Sequence, residues 1–254
     1  MSRKLRVLVF VLLTAGAAIA SFTVVRSFRL LGEAPTRKPF TAVMVEKQYP
    51  GESDQPTRTE VYLRAFRSDG SRVTVRRRES PRHEWKEVRA ILDLTGGKRV
   101  SVDQFTESLT TIPLSAGGVS FYRSWPKSEC TGRPELPQST VLGYEARKVQ
   151  KQLGGGTRLE LQMAPALDCF ELEENWTFDP PGGPKYRGTR QALYVIEGEP
   201  PPALFEIPAS YVERAPSQVA AEFVRRFPEH QPPFSDETAQ RGDDMYRAHR
   251  QAER

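Results

Sequence analysis

The chain has 254 residues, of which 38% are hydrophobic, and a formal charge of +5. That length accommodates one large domain or two small ones, and the apolar content suffices for one sizeable sheet core. The basicity is concentrated in residues 1–38 and 58–99 while the remainder is acidic, so net charge alone is no sign of a nucleic-acid partner, and no nucleic-acid recognition motif is present.

The first residues have the layout of an export signal. Arg3, Lys4 and Arg6 precede an apolar core, Val7 to Leu13, and Ala18-Ile19-Ala20 supplies small residues before Ser21. A signal peptide over 1–20 is favoured, because the strongly apolar part is short. The alternative is an anchor over 7–25, which has no charge, approaches bilayer-spanning length and would bring membrane contact. Either reading sends the rest of the chain out of the cytoplasm. Residues 21–39 then form a basic linker.

From residue 40 the texture is that of β-structure. Alternating segments at Thr41–Lys47, Thr59–Arg67 and Arg72–Arg76 are followed by Val88–Leu94, Lys98–Asp103 and Thr106–Ile112. Asp69-Gly70 and Gly96-Gly97 mark tight turns, so consecutive strands are expected to be antiparallel neighbours. Leu114 to Gln138 breaks the pattern and reads as an irregular excursion rich in Ser, Gly and Pro, with Cys130 inside it. The clearest hairpin follows: a strand from Val141 to Val149, a turn at Gly154-Gly155-Gly156, and Thr157–Met163 returning. Gln191–Glu197 and Leu204–Ile207 read as further strands.

The expected fold class is therefore mainly β, a curved antiparallel sheet or half barrel over 40–214. One C-terminal helix over 215–228 follows, with Val219, Ala220, Phe223, Val224 and Phe227 at helical spacing. Residues 229–254 form a charged tail.

Cys130 and Cys169 are the only cysteines, and outside the cytoplasm pairing is favoured over two buried free thiols. Two cysteines and three scattered histidines offer no metal-ligand spacing. There is no G-x-S-x-G elbow, H-E-x-x-H, Walker or dinucleotide motif, so no catalytic residue and no cofactor is assigned. Glu171, Glu173 and Glu174 read as a solvated strand edge, and His83 as part of an exposed turn. Arg64, Arg67, Arg72, Arg76, Arg77 and Arg78 form a basic patch with two readings. One is a polar outer sheet face balanced by acidic loops, and the other is a contact for an anionic partner.

Two stretches carry a family resemblance, Leu142-Gly143-Tyr144-Glu145-Ala146-Arg147-Lys148-Val149 and Leu204-Phe205-Glu206-Ile207-Pro208-Ala209-Ser210-Tyr211. They resemble exported bacterial proteins related to the periplasmic lipoprotein carrier LolA, over roughly 40–215. The resemblance implies an incomplete barrel whose concave face is covered by helices and holds lipid acyl chains. The chain departs from that pattern in showing little helix between its strands and in carrying a cysteine pair. An apolar ligand, lipid or lipoprotein, would be lined by Leu63, Val73, Val75, Leu92, Leu159, Leu161 and Met163; an ordinary packed core is the competing reading for the same residues. The alternative function is an envelope protein-protein interaction domain with no small ligand.

Overall fold

The computed structural model describes residues 37–124, 129–179, 183–231, 240, 242–244 and 246–247. The export segment over 1–20 or 7–25, most of the 21–39 linker and much of the 229–254 tail lie outside them. Among the described residues no helix is long and apolar enough to cross a membrane.

Twelve strands form one open, curled sheet. In chain order they are β1 (Phe40–Pro50), β2 (Arg58–Phe66), β3 (Arg72–Glu79), β4 (Trp85–Asp93), β5 (Lys98–Asp103) and β6 (Ser108–Pro113). After helix α1 (Ala116–Ser124) come β7 (Gln138–Val141), β8 (Tyr144–Gln152), β9 (Thr157–Ala164), β10 (Phe170–Phe178), β11 (Tyr186–Glu197) and β12 (Val212–Glu213). Helix α2 (Pro216–Arg226) follows. The spatial order is β12-β6-β5-β4-β3-β2-β1-β11-β10-β9-β8-β7. Two meanders, β1–β6 and β7–β11, are thus joined side by side through the antiparallel pair β1·β11.

Successive strand residues point to opposite faces, so the register sorts the side chains. Met44, Tyr62 and Arg76 occupy one cross-strand row on what is here called the front face, and Val43, Leu63 and Val75 share a row on the back. The front face is concave. Strands β2 and β10 are three positions apart, about 14 Å in a flat sheet, yet the Phe66 and Phe170 ring centroids are 5.4 Å apart. Phe40 stacks on Phe66 at 4.7 Å and meets Phe170 edge-on at 4.9 Å. With Met44, Tyr62, Leu167 and Leu172 these rings make the largest core cluster.

Several expectations are corrected. The Leu114–Gln138 excursion contains a helix, α1. The weave from Val141 to Val149 is not one strand: β7 ends at Val141, and Leu142-Gly143 turns the chain with φ of 52° and 82°. Both central residues left-handed is the geometry of a two-residue hairpin, and Leu in place of the usual Asn or Gly hid it. Leu204–Ile207 is no strand, because Pro201 and Pro202 shape a 3-10 turn over Pro202–Leu204. The last strand is instead Val212–Glu213, which pairs with β6 in parallel, the one parallel pair of this sheet. The hairpin at Gly154–Gly156 and the helix stand as expected.

The disulfide between Cys130 and Cys169 is present, with Cα atoms 5.7 Å apart. It closes a compact cluster with Val149, Leu161 and Met163. It fastens the chain after α1 to the corner before β10, where Asp168 and Cys169 both adopt positive φ.

A cavity between the sheet and helix α2

The β3–β6 half of the sheet carries packed segments on both faces, with Arg99 and Ser101 of the front left exposed. On the back, Val73, Val75, Ile91, Val100 and Val102 pack against Leu204, Phe205 and Tyr211. On the front, α2 lies over β4–β6 and leaves a cavity of about 950 Å³.

The cause is in the side chains of the floor. Register places Val88, Asp103 and Ser108 in one row, Ser101 and Thr110 in the next, and Arg99 and Ile112 in the third. At the Val88 end, Phe105, Phe223 and Phe227 cluster with ring centroids 5.0–6.5 Å apart, and the lining continues past them to Arg78, Ser80, Pro81 and His83. Toward Ser101 and Thr110 the floor is made of short side chains. They do not reach the Val219 side of the helix, and the volume stays empty.

The helix is held at both ends. Pro216 starts it, Ser217 N–H donates to Asp243 Oδ1 at 2.9 Å, and Gln218 accepts from Ala215 N–H at 3.0 Å. At the other end Arg226 donates to the Phe105 carbonyl at 3.2 Å and to Glu107 at 3.1 Å. Arg214, just before α2, donates to Ser108 Oγ, and Thr110 Oγ1 donates to the Arg214 carbonyl at 2.8 Å.

The charged and titratable residues of the described lining are Arg78, Glu79, His83, Arg99, Asp103 and His230. Asp103 accepts from the Phe105 N–H at 2.8 Å and the Thr106 hydroxyl at 3.2 Å, and burial pushes its carboxyl above the usual range. Glu79 is 2.7 Å from Nδ1 of the exposed His83. Arg78 lines the wall, and its nearest acid among the described residues is Glu60, 3.9 Å away. No hydrogen bond joins them: the buried Arg78 Nε and Glu60 Oε1 both lack a partner. The other Glu60 oxygen already accepts from Arg58 at 2.7 Å and from Arg76. Arg99 is exposed at the far end of the floor and makes no ion pair among the described residues.

The front face beside the cavity carries a buried ionic cluster. Arg76 bonds Glu46 and Glu60, Arg190 bonds Glu46 and Glu174, and Arg64 bonds Glu171 at 3.2 Å. Glu171 and Glu174 are therefore no solvated edge. β10 is an interior strand between β9 and β11, and the concave face turns both carboxylates inward. His83 does lie in an exposed turn.

The six arginines of the basic segment do not form one patch. Arg64, Arg72, Arg76 and Arg78 share the front face, and Arg77 sits on the back with Glu87 at 3.2 Å. Arg67 pairs with Glu199 at 3.6 Å and stands over the Phe205 ring. Arg72 stands 5.1 Å over Tyr122 of α1, and burial, followed by the Arg64 charge, pulls its pKa down to about 10. The balancing acids come mainly from other strands of the sheet rather than from loops: Arg77 and Glu87 are directly opposed, while Arg76 reaches to β1 and β2 and Arg64 to β10 across the concave face.

The seven residues expected to line an apolar site are dispersed. Leu63, Val73 and Val75 are on the back, packed against the 204–211 segment. Leu159, Leu161 and Met163 belong to the disulfide cluster, and Leu92 is buried on the front of β4. None of them lines the cavity. Its floor of Ser101, Ser108 and Thr110 has no apolar signature in the sequence. Of the residues singled out in the sequence, Arg78 of the basic segment, His83, and Val219 and Phe223 of the amphipathic stripe line it.

No protein-family model matches the chain, and no curated protein matches it in sequence. Among solved structures, PNGF-II is similar over 74% of this chain and 33% of its own length, at 8% identity and a TM-score of 0.42. MucB in complex with MucA(peri) is similar over 72% of this chain and 59% of its own, at 15% identity and a TM-score of 0.31. The Pseudomonas aeruginosa MucA/MucB complex is similar over 70% and 59%, at 14% identity and a TM-score of 0.31. The chain thus spans between a third and three-fifths of the length of these structures. The likenesses are slight, and none of them carries a functional argument.

Proposed function

We propose that the protein is an extracytoplasmic binding domain that holds the apolar chain of a lipid or lipoprotein in the cavity between β3–β6 and α2. The observation that carries this reading is the cavity itself. Its volume, about 950 Å³, is at the upper end of the usual range for ligand sites, and its sides are Val88, Phe105, Ile112, Val219 and Phe223. The site differs from the one expected from the sequence, but the arrangement, a helix over the concave side of a curled sheet, is the one the LolA resemblance implies. The Cys130–Cys169 disulfide fits an oxidising compartment, in keeping with the export-type start at Arg3, Lys4 and Arg6. In this reading the domain over 40–214 and the helix over 215–228 act together, since the helix roofs the site.

The test is native mass spectrometry of protein gently purified from its own host, with titration of the apolar fluorophore N-phenyl-1-naphthylamine as a second readout. Co-purifying lipid and saturable fluorophore binding that Val219→Trp weakens are expected. A clean apo mass together with no saturable binding would exclude the carrier reading.

One observation favours a second reading, an envelope protein-interaction domain. Val61, Tyr194 and Ile196 are 54%, 51% and 60% exposed on the back of the β2·β1·β11 region. An apolar surface of that kind suits a protein partner. Loss of a pulled-down envelope protein on Ile196→Lys, with fluorophore binding unchanged, would assign the contact to that face.

A further inference from the structure

We propose that Arg78 reads an anionic head group at the cavity wall, so that the preferred ligand is an acidic amphiphile bearing a carboxylate or phosphate on its apolar chain. The inference rests on the binding reading given above and adds the chemistry of the head group.

The other arginines on the front of β2, β3 and β11 are engaged. Arg64, Arg76 and Arg190 each hold one or two carboxylates at hydrogen-bonding distance, and Arg72 is buried beside Tyr122. Arg78 differs. Its nearest carboxylate, that of Glu60, is 3.9 Å away and is shared by two other arginines through its second oxygen. Its Nε is buried without a hydrogen-bond partner, a costly state for a group of this kind. The same side chain lines the cavity, so a ligand oxyanion entering there reaches a guanidinium whose planar fork of donors suits carboxylate and phosphate.

The acids nearby do not fill that role. Asp103 feels the Arg78 charge, which opposes the upward push of burial on its carboxyl, but it makes no hydrogen bond to Arg78 and accepts instead from the Phe105 N–H and the Thr106 hydroxyl. Glu79 is turned to His83, and Lys86, the cross-strand neighbour of Arg78, is paired with Glu84 at 2.8 Å. The second cation of the lining, Arg99, is placed in the row of Ile112 at the opposite end of the floor and is open to solvent. It serves as the internal control for a general positive field.

The experiment is displacement of N-phenyl-1-naphthylamine from the full chain by four amphiphiles of equal chain length: dodecanoate, dodecyl phosphate, dodecanol and dodecylamine. Dodecanoate, dodecyl phosphate or both should compete about tenfold better than dodecanol, the factor expected of one charge-assisted hydrogen-bonded contact, and which anion leads distinguishes carboxylate from phosphate ligands. Arg78→Gln should bring the preferred anion to parity with dodecanol while leaving dodecanol unchanged. Arg78→Lys should retain part of the preference, and Arg99→Gln most of it.

Equal competition by acids and alcohol in the wild type overturns the inference and leaves the binding domain standing. A preference that survives Arg78→Gln, or that is lost in Arg99→Gln, assigns the anion elsewhere and also overturns it. If no amphiphile displaces the fluorophore, the inference and the binding reading fall together. Circular dichroism of each variant, with its dodecanol affinity, separates loss of the contact from loss of the fold.

Discussion

Glu46 on β1 and Glu60 on β2 stand directly opposite one another in register, and one side chain, Arg76 of β3, bonds both. Like charges in opposed positions destabilise a sheet, and here each carboxylate is only about a tenth exposed. The arginine is therefore a condition for bringing the two strands together with these residues. Arg190 from β11 approaches Glu46 at 3.4 Å, so the cluster ties β11, β1, β2 and β3 across the seam between the two meanders.

Arg76→Ala should destabilise the domain by about 3 kcal/mol, toward the lower end for breaking a buried pair because Arg58 and Arg190 remain. Urea unfolding at neutral pH measures it. The triple variant Glu46→Gln, Glu60→Gln, Arg76→Met should recover part of the loss, since it removes the two opposed carboxylates together with Arg76, while Arg190 keeps Glu174 and the half-exposed Arg58 is left to solvent. A triple variant no more stable than Arg76→Ala would show that the carboxylates are not the source of the cost.

The same cluster predicts opposite pH effects for two of its acids. Burial pushes the Glu46 carboxyl up, but Arg190, Gln48 and Arg76 together hold it below its ordinary value. Its stabilisation is then present above the unfolded pKa and lost as pH falls through the folded one. Burial dominates at Glu174 and leaves its carboxyl raised despite Arg190, so its protonation adds stability as pH falls through the folded value toward the unfolded one. Unfolding free energies measured from neutral pH downward through pH ~5 should therefore show a flatter acid decline in Glu46→Gln and a steeper one in Glu174→Gln. Parallel curves would contradict both assignments.

Reduction of Cys130–Cys169 releases a loop with a sequence separation of 39. The expected cost is about 2–5 kcal/mol, and the paired substitution Cys130→Ser, Cys169→Ser should show it as a lower urea midpoint. A thiol titration of the denatured, unreduced protein should find no free cysteine. Protection in β8 and β9, which pack on the disulfide through Val149, Leu161 and Met163, should fall more than in β3–β6 when amide exchange is compared.

Gly188 sits opposite Trp176 in the β10·β11 pair, and a Cβ built there would overlap the indole ring. Gly188→Ala should cost about 1–3 kcal/mol by overpacking. Combined with Trp176→Leu the penalty should shrink, giving a coupling energy that neither single variant shows. Additive losses would mean that the ring is not what excludes the methyl group.

The sequence by itself determined the fold class, the consecutive pairing of β1–β6, the cysteine pair and the C-terminal helix. Each is written in local periods and turn residues: alternation of two in Val73 and Val75, Asp69-Gly70 and Gly96-Gly97 at the turns, and a three-four stripe through Val219 and Phe223. These signals act within a few residues, so they survive without knowledge of distant neighbours. Tertiary structure alone decided what the non-local pairs produce. Joining β1 to β11 brings Glu46 beside Arg190, 144 positions away, and the curl of the sheet turns Glu171 and Glu174 from an apparent solvated edge into buried partners of arginines. The cavity arises in the same way. Ser108 and Thr110 look like a wet strand face until tertiary structure buries them beside α2, and only then do they and the exposed Ser101 line an unfilled volume with Arg78 at its wall. The physical reason is that secondary structure follows from the backbone and its immediate neighbours, whereas a site follows from which faces meet, and how far their side chains reach.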